Sequence, residues 1–228
     1  MATHDDLVAR DANKLLFALI LIELFLVLVF GVDALLGSPS LTIKHLFNLD
    51  GEGNIPAWFS SVQICLIGLV FVLRSRLCDP DHSPSSLFFL MVGVGFIFLS
   101  ADEMASIHEK TAGILGRLEW MPRFKGGHGI WISAYAVTGL VLVPASIRPL
   151  AALWSRHRRA TCVMGIGMGI MVLGAVVMEV IGYQFLRDGS HPVLYTAEVV
   201  IEESMEMFGA SVILYGAILL LRDDSRVT

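Results

Sequence analysis

Cysteine is scarce in this chain, and so is charge. Three cysteines stand among 228 residues. Cys65 and Cys162 fall inside apolar runs and Cys78 in a loop, with no Cys-x-x-Cys. That excludes a disulfide scaffold and a thiol redox motif. Charged residues make up only 16% of the chain, against roughly 25% in soluble domains. No Lys/Arg run interleaves with aromatics, so no nucleic-acid partner is expected. Also missing are a phosphate-binding glycine loop, a Gly-x-Ser-x-Gly elbow, His-rich boxes and any internal repeat. His108-Glu109 is not followed by the second His of a His-Glu-x-x-His zinc motif, and no Glu-x-x-His pair occurs.

What is present is apolar length. Hydrophobic residues are 55% of the chain, and the mean hydropathy is +0.72. A membrane-crossing helix needs about 20 mainly apolar residues. Six segments qualify, at residues 15–36, 56–73, 86–105, 130–147, 162–185 and 194–221. Their continuous apolar character, without alternation, favours helices over barrel strands. The length and flank of the first read as a retained signal anchor. The expected fold is all-α: a polytopic integral membrane bundle of six transmembrane helices, with residues 1–228 forming one transmembrane domain.

Loop charge sets the expected orientation. With the N-terminus inside, cytoplasmic loops hold ten Lys and Arg residues and external loops six. The positive-inside rule then places both termini in the cytoplasm. The expected location is a plasma membrane of the bacterial inner-membrane kind.

The spans carry acids that lipid would not tolerate. Glu198, Glu202, Glu203 and Glu206 lie within residues 194–221. Each carboxylate at mid-bilayer costs about 2.5–3.5 kcal/mol on insertion scales, so they must face an interior site. On the assigned topology, Asp102, Glu103, His108 and Glu109 close the outer end of span three. His128, Trp131 and Tyr135 open span four, and Glu179, Tyr183 and Gln184 occupy the outer third of span five. The inner halves of spans three to six hold no acid and no His.

Helical geometry sorts these residues. At about 100° per residue, Glu198, Glu202 and Glu206 share one face within about 80°, with Glu203 on its flank. If span three continued as a helix, Asp102 and Glu109 would nearly eclipse each other, and Glu103 would point about 100° away. Asp102 and Glu109 are therefore expected at the site, ahead of Glu103.

Several carboxylates with imidazole in a dry pocket suit a divalent metal ion such as iron, manganese or zinc. The expected metal-binding set is Asp102, His108, Glu109, Glu179, Glu202 and Glu206, supported by Glu198, Glu203, Tyr183, Tyr135, Gln184 and His128. The expected function is a membrane enzyme or enzyme subunit, hydrolase or oxidoreductase, with its site open to the outer face. Its partners would be membrane lipids and a small hydrophobic or external substrate. A cation- or proton-coupled transporter using the Glu cluster is the alternative, and a structural subunit the plainest reading. Glu23, near the middle of span one, is expected to be neutral or paired within the bundle. Glu52 is expected to be dispensable. Gly165 and Gly169 form a Gly-x-x-x-Gly suited to close helix packing or a partner subunit, and Gly93 and Gly95 are read similarly. Leu41, Ile43, Leu46 and Phe47 suggest a short interfacial helix.

Overall fold

The computed structural model describes residues 4–77, 84–118, 120, 122, 129–187 and 189–224. These form eight helices and no strand. Helix α1 is His4–Leu35, α2 Leu41–Phe47, α3 Ile55–Leu77 and α4 Ser86–Ala105. Then come α5 (Ile107–Leu115), α6 (Ile130–Arg156), α7 (Arg158–Leu186) and α8 (Pro192–Asp224). Six of them, α1, α3, α4, α6, α7 and α8, are long and apolar enough to cross a membrane.

Local chemistry sets the helix ends. Ser85 Oγ accepts from Phe88 N at 3.3 Å and starts α4. Asn54 Oδ1 accepts from Ala57 N at 3.1 Å and starts α3. The Asn54 amide donates back to Asn48 O and Gly51 O, at 2.6 and 2.7 Å. One Asn thus caps a helix and folds the 48–54 loop, as an Asx residue at a helix start commonly does. The loop carries Asp50 and Glu52 to the end of the bundle where α4 and α7 finish and α8 begins. That end is called the polar end below.

Helix α8 is the central post, in contact with α1, α3 and α7. Val199, Met207, Ala210, Ile213, Leu214, Ala217 and Leu220 bury its sides. Small residues let the backbones approach. A Cβ on Gly167 of α7 would lie 2.8 Å from Gly209 O of α8, and one on Gly68 of α3 2.8 Å from Gly93 O of α4. The expected pair does not do this: Gly165 and Gly169 have nothing within 4 Å. Gly167 and Gly174, seven residues apart, face α8 in their place. Gly95 is likewise open while Gly93 is packed. Spacing alone does not say which of several small residues faces a neighbour.

Helix α6 stands apart. Only Ile130 and Leu153 are buried on it, and its contacts are mainly with α5 and α7. Leu140, Val141 and Val143 are exposed on α6, as are Phe17, Leu24 and Leu28 on α1. Such outward apolar faces fit a lipid solvent better than water.

Candidate functional site

Span three does not run on as a helix. Ser106 takes a left-handed conformation, φ 51° and ψ 44°, and α5 sets off in a new direction. This breaks the angular argument that paired Asp102 with Glu109. Asp102 instead caps α5 from the preceding helix: its Oδ1 accepts from His108 N at 2.6 Å and lies 3.3 Å from His108 Nδ1. A carboxylate at the first turn satisfies an orphan N–H and suits the helix dipole. Tyr135 on α6 donates to the other Asp102 oxygen. Glu52 closes the group, with Oε2 accepting from Ser106 Oγ at 2.7 Å and Oε1 3.7 Å from His108 Nε2. Glu109 is exposed.

Charge balance follows from these contacts. Burial alone lowers the His108 pKa, but the hydrogen bond and charge of Asp102, with Glu52 and Glu109, raise it above the ordinary histidine value. Burial raises the Glu52 carboxyl, partly offset by Ser106 and His108.

Glu103 makes the opposite turn to that expected. It is hydrogen-bonded to Ser60 of α3 and lies within electrostatic reach of Glu203 and Glu206. The acid set aside by helical angles thus joins the α8 carboxyls, and Asp102 does not.

On the other flank, α7 is not a regular helix. π-helical turns at Leu173–Met178 and Gly182–Leu186 bracket Glu179–Ile181. Such turns shift the side-chain register and recur at functional sites. Glu179 accepts from Trp131 Nε1 at 3.4 Å and lies 3.7 Å from Arg187. Glu202, buried, sits beside both Glu179 and Glu198. A Cβ on Gly174 would come within 2.9 Å of Glu202 O and 3.1 Å of Glu206 Cγ. Glu198 is 3% exposed and rests on Gly182, whose Cβ would meet its oxygens at 2.8 and 3.0 Å. Among the described residues, neither Glu198 oxygen has a hydrogen bond from a fixed donor; a polar group beside it is another carboxyl, Glu202.

Arg187 spans the rim. Its guanidinium lies 3.6 Å from Asp50 and 3.7 Å from Glu179, 4.0 Å above the Tyr183 ring and 5.6 Å from that of Tyr195. Tyr195 also donates to Asp50 at 2.7 Å. Burial works against the Arg187 charge, yet Tyr183, Glu179, Tyr195 and Asp50 hold its proton more firmly than usual.

Carboxyls from α4, α7 and α8 therefore converge at the polar end, around Glu202 and Glu206. Tyr135 and Tyr183 flank them, Gln184 is half-buried on the second π turn, and His128 lies outside the described residues. Among the described residues, no group of three or more His, Cys, Asp or Glu is gathered closely enough to hold a metal ion. The preformed metal centre expected from the sequence is not found there. Helix angles also gave no sign of Asp50, Glu52, Trp131, Arg187 or Tyr195. They sit in a loop or at helix ends, where periodicity carries no information.

The sequence model of a domain of unknown function, DUF8692, matches residues 14–221. The chain belongs to that family. The DUF8692 match takes in all six long helices nearly whole, and with them every acid of the chamber. No curated protein and no solved structure matches the chain.

Proposed function

We propose that this is an integral membrane protein whose carboxyl chamber opens to the outer face and takes up a divalent cation. In this reading it works as a metal-dependent enzyme or enzyme subunit on a lipid-soluble or external substrate. One observation carries it: Glu103, Glu179, Glu198, Glu202, Glu203 and Glu206 crowd together with a single arginine, Arg187, described at their rim. Carboxylates so close cannot all be ionised without added positive charge. A hard or intermediate divalent ion supplies that charge and matches carboxylate donors. Iron, manganese and zinc are the ions such donors suit.

Binding requires side chains to swing inward from the positions described, with Glu202 and Glu206 nearest the centre. A bound ion would supply Lewis acidity at the chamber. The residues themselves do the rest. Tyr135 and His108 fix Asp102, Trp131 and Arg187 fix Glu179, and Gly174 and Gly182 allow α8 to bring its carboxyls close to α7. Both termini lie in the cytoplasm of a plasma-membrane protein in this reading, and lipid covers the apolar outer faces. Gly165 and Gly169 leave α7 a smooth side for a partner helix or second copy.

The test is metal content and titration of Mn²⁺ and Zn²⁺ into the full chain, purified in mild detergent. Stoichiometric binding that weakens in Glu202→Gln is the expected result. Less than about a tenth of an equivalent, unrecovered on reconstitution, sinks the reading, since a multi-carboxylate chamber that uses a metal should retain or regain it.

A further inference from the structure

Glu23 lies apart from the chamber. It projects from the middle of α1 into the core between α3 and α8, and it is only 5% exposed. Its Oε1 accepts from Ser211 Oγ at 2.6 Å and from Gln63 Nε2 at 2.9 Å. Gln63 Nε2 also donates to Ser211 Oγ at 2.7 Å and reaches Met207 O at 3.4 Å. Gln63 and Ser211 are 0% exposed. Three helices thus send one acid, one amide and one hydroxyl to a single enclosed point.

Among the described residues, no charged side chain answers that acid. The groups acting on it are the surrounding burial, Ser211 and Gln63. Along α8, Glu206 stands roughly one and a half turns from Ser211. Asp33 on α1 and Arg74 on α3 are each roughly three turns from the triad. A carboxylate in a span with no cation beside it marks a site by default.

We propose that Glu23, Gln63, Ser211 and the Met207 carbonyl form a binding site for one exchangeable monovalent cation, a proton or a sodium ion. The donors are all hard: a carboxylate, a hydroxyl, an amide and a backbone carbonyl. They suit a proton or a small alkali cation and offer nothing to a soft transition metal. The single negative charge is balanced by a single positive one. Acidic side chains inside spans recur where proteins hold and pass protons.

The Gln63 amide is the adjustable part. As placed, its NH₂ end serves an ionised Glu23, and its Oε1 is buried without a partner. Turned about its last torsion, the same side chain presents Oε1 to Glu23. There it accepts the carboxyl proton or becomes a ligand to an ion. The unpartnered oxygen of a fully buried amide is the atom that the charge-neutral state uses. Met207 directly follows Glu206 of the chamber, but among the described residues the side-chain hydrogen bonds of Glu23, Gln63 and Ser211 run only to one another and to the Met207 carbonyl.

Infrared difference spectroscopy on the full chain in detergent tests this through the protonated-carboxyl stretching band. Wild type, Glu23→Gln, Ser211→Ala and Glu202→Gln are compared across acid and alkaline buffers, in sodium, potassium or choline chloride of equal strength. The expected result is a band that is absent in Glu23→Gln, displaced in Ser211→Ala and unchanged in Glu202→Gln, and that declines as pH rises. A response to pH alone identifies the proton. An added decline with sodium, but not potassium or choline, identifies sodium as its competitor. A Glu23 band insensitive to both pH and sodium, or no band and no sodium effect, overturns the proposal. If Glu23→Gln does not fold, the shift in Ser211→Ala assigns the band, and its absence there overturns the proposal equally.

Discussion

The two acidic regions of this bundle solve the same problem in opposite ways. At the polar end, acids outnumber donors: Glu198 has no fixed donor among the described residues, and Glu202 stands between two other carboxyls. In the core, one acid meets two donors within 2.6 and 2.9 Å. Buried charge that lacks internal partners must be met from outside, whereas buried charge with dedicated donors is held by the fold. On the proposals above, the crowded region needs a divalent charge from outside, whereas the core acid, already held by two donors, needs only a single monovalent one. The paired region binds α1 to α3 and α8.

That contrast can be broken in several places. The largest effect should come from the scaffold beneath both regions. Gly167→Val sets a side chain against Gly209 O, a backbone atom that cannot step aside. It should cost about 1–3 kcal/mol or more, seen as a large drop in Tm by tryptophan fluorescence in detergent. Next, Glu202→Leu should weaken Mn²⁺ binding roughly 10–100-fold with little loss of thermal stability. Replacing a crowded buried acid by an apolar side chain is often neutral or stabilising. Equal loss of binding and folding would show that the chamber acids are structural. Ser211→Ala should behave in reverse, costing about 1–3 kcal/mol by denaturant or thermal unfolding and leaving Mn²⁺ binding unchanged.

Smaller effects sharpen the same comparison. The His108 pKa is raised by Asp102, so its stabilising pair is fully present below the usual histidine value and is lost as pH rises through the raised one. The Tm advantage of wild type over His108→Gln should therefore be full below the ordinary histidine pKa of about 6.5 and shrink as pH rises above it. Smallest of all is Gly169→Ala, whose Cβ meets nothing within 4 Å. Monomer stability should hold or rise by roughly 0.5–1 kcal/mol from helix propensity, as read by Tm.

Several of these acids were legible because carboxylates inside long apolar runs are rare and therefore conspicuous. Glu179, Glu202 and Glu206 needed only hydropathy to be picked out, and the short helix expected around Leu41–Phe47 forms as α2. What failed was the inference that span three ran on past Asp102 as one regular helix. Ser106 ends α4 early and separates Glu109 from Asp102, while Glu103 is delivered to the α8 acids. The π turns of α7 reset Glu179 and Tyr183 in the same way. Glu52, set aside as dispensable, reaches Ser106 and His108 because Asn54 folds its loop back over the end of the bundle.

By itself the sequence determined the class of architecture. In a bilayer, unbroken apolar runs of that length satisfy their backbone hydrogen bonds as helices, and acids within them turn inward. Which acids meet was decided by tertiary structure alone. One left-handed residue, two widened turns and the choice of Gly167 over Gly165 each rotate whole helices relative to one another, and no periodicity in the chain encodes such rotations.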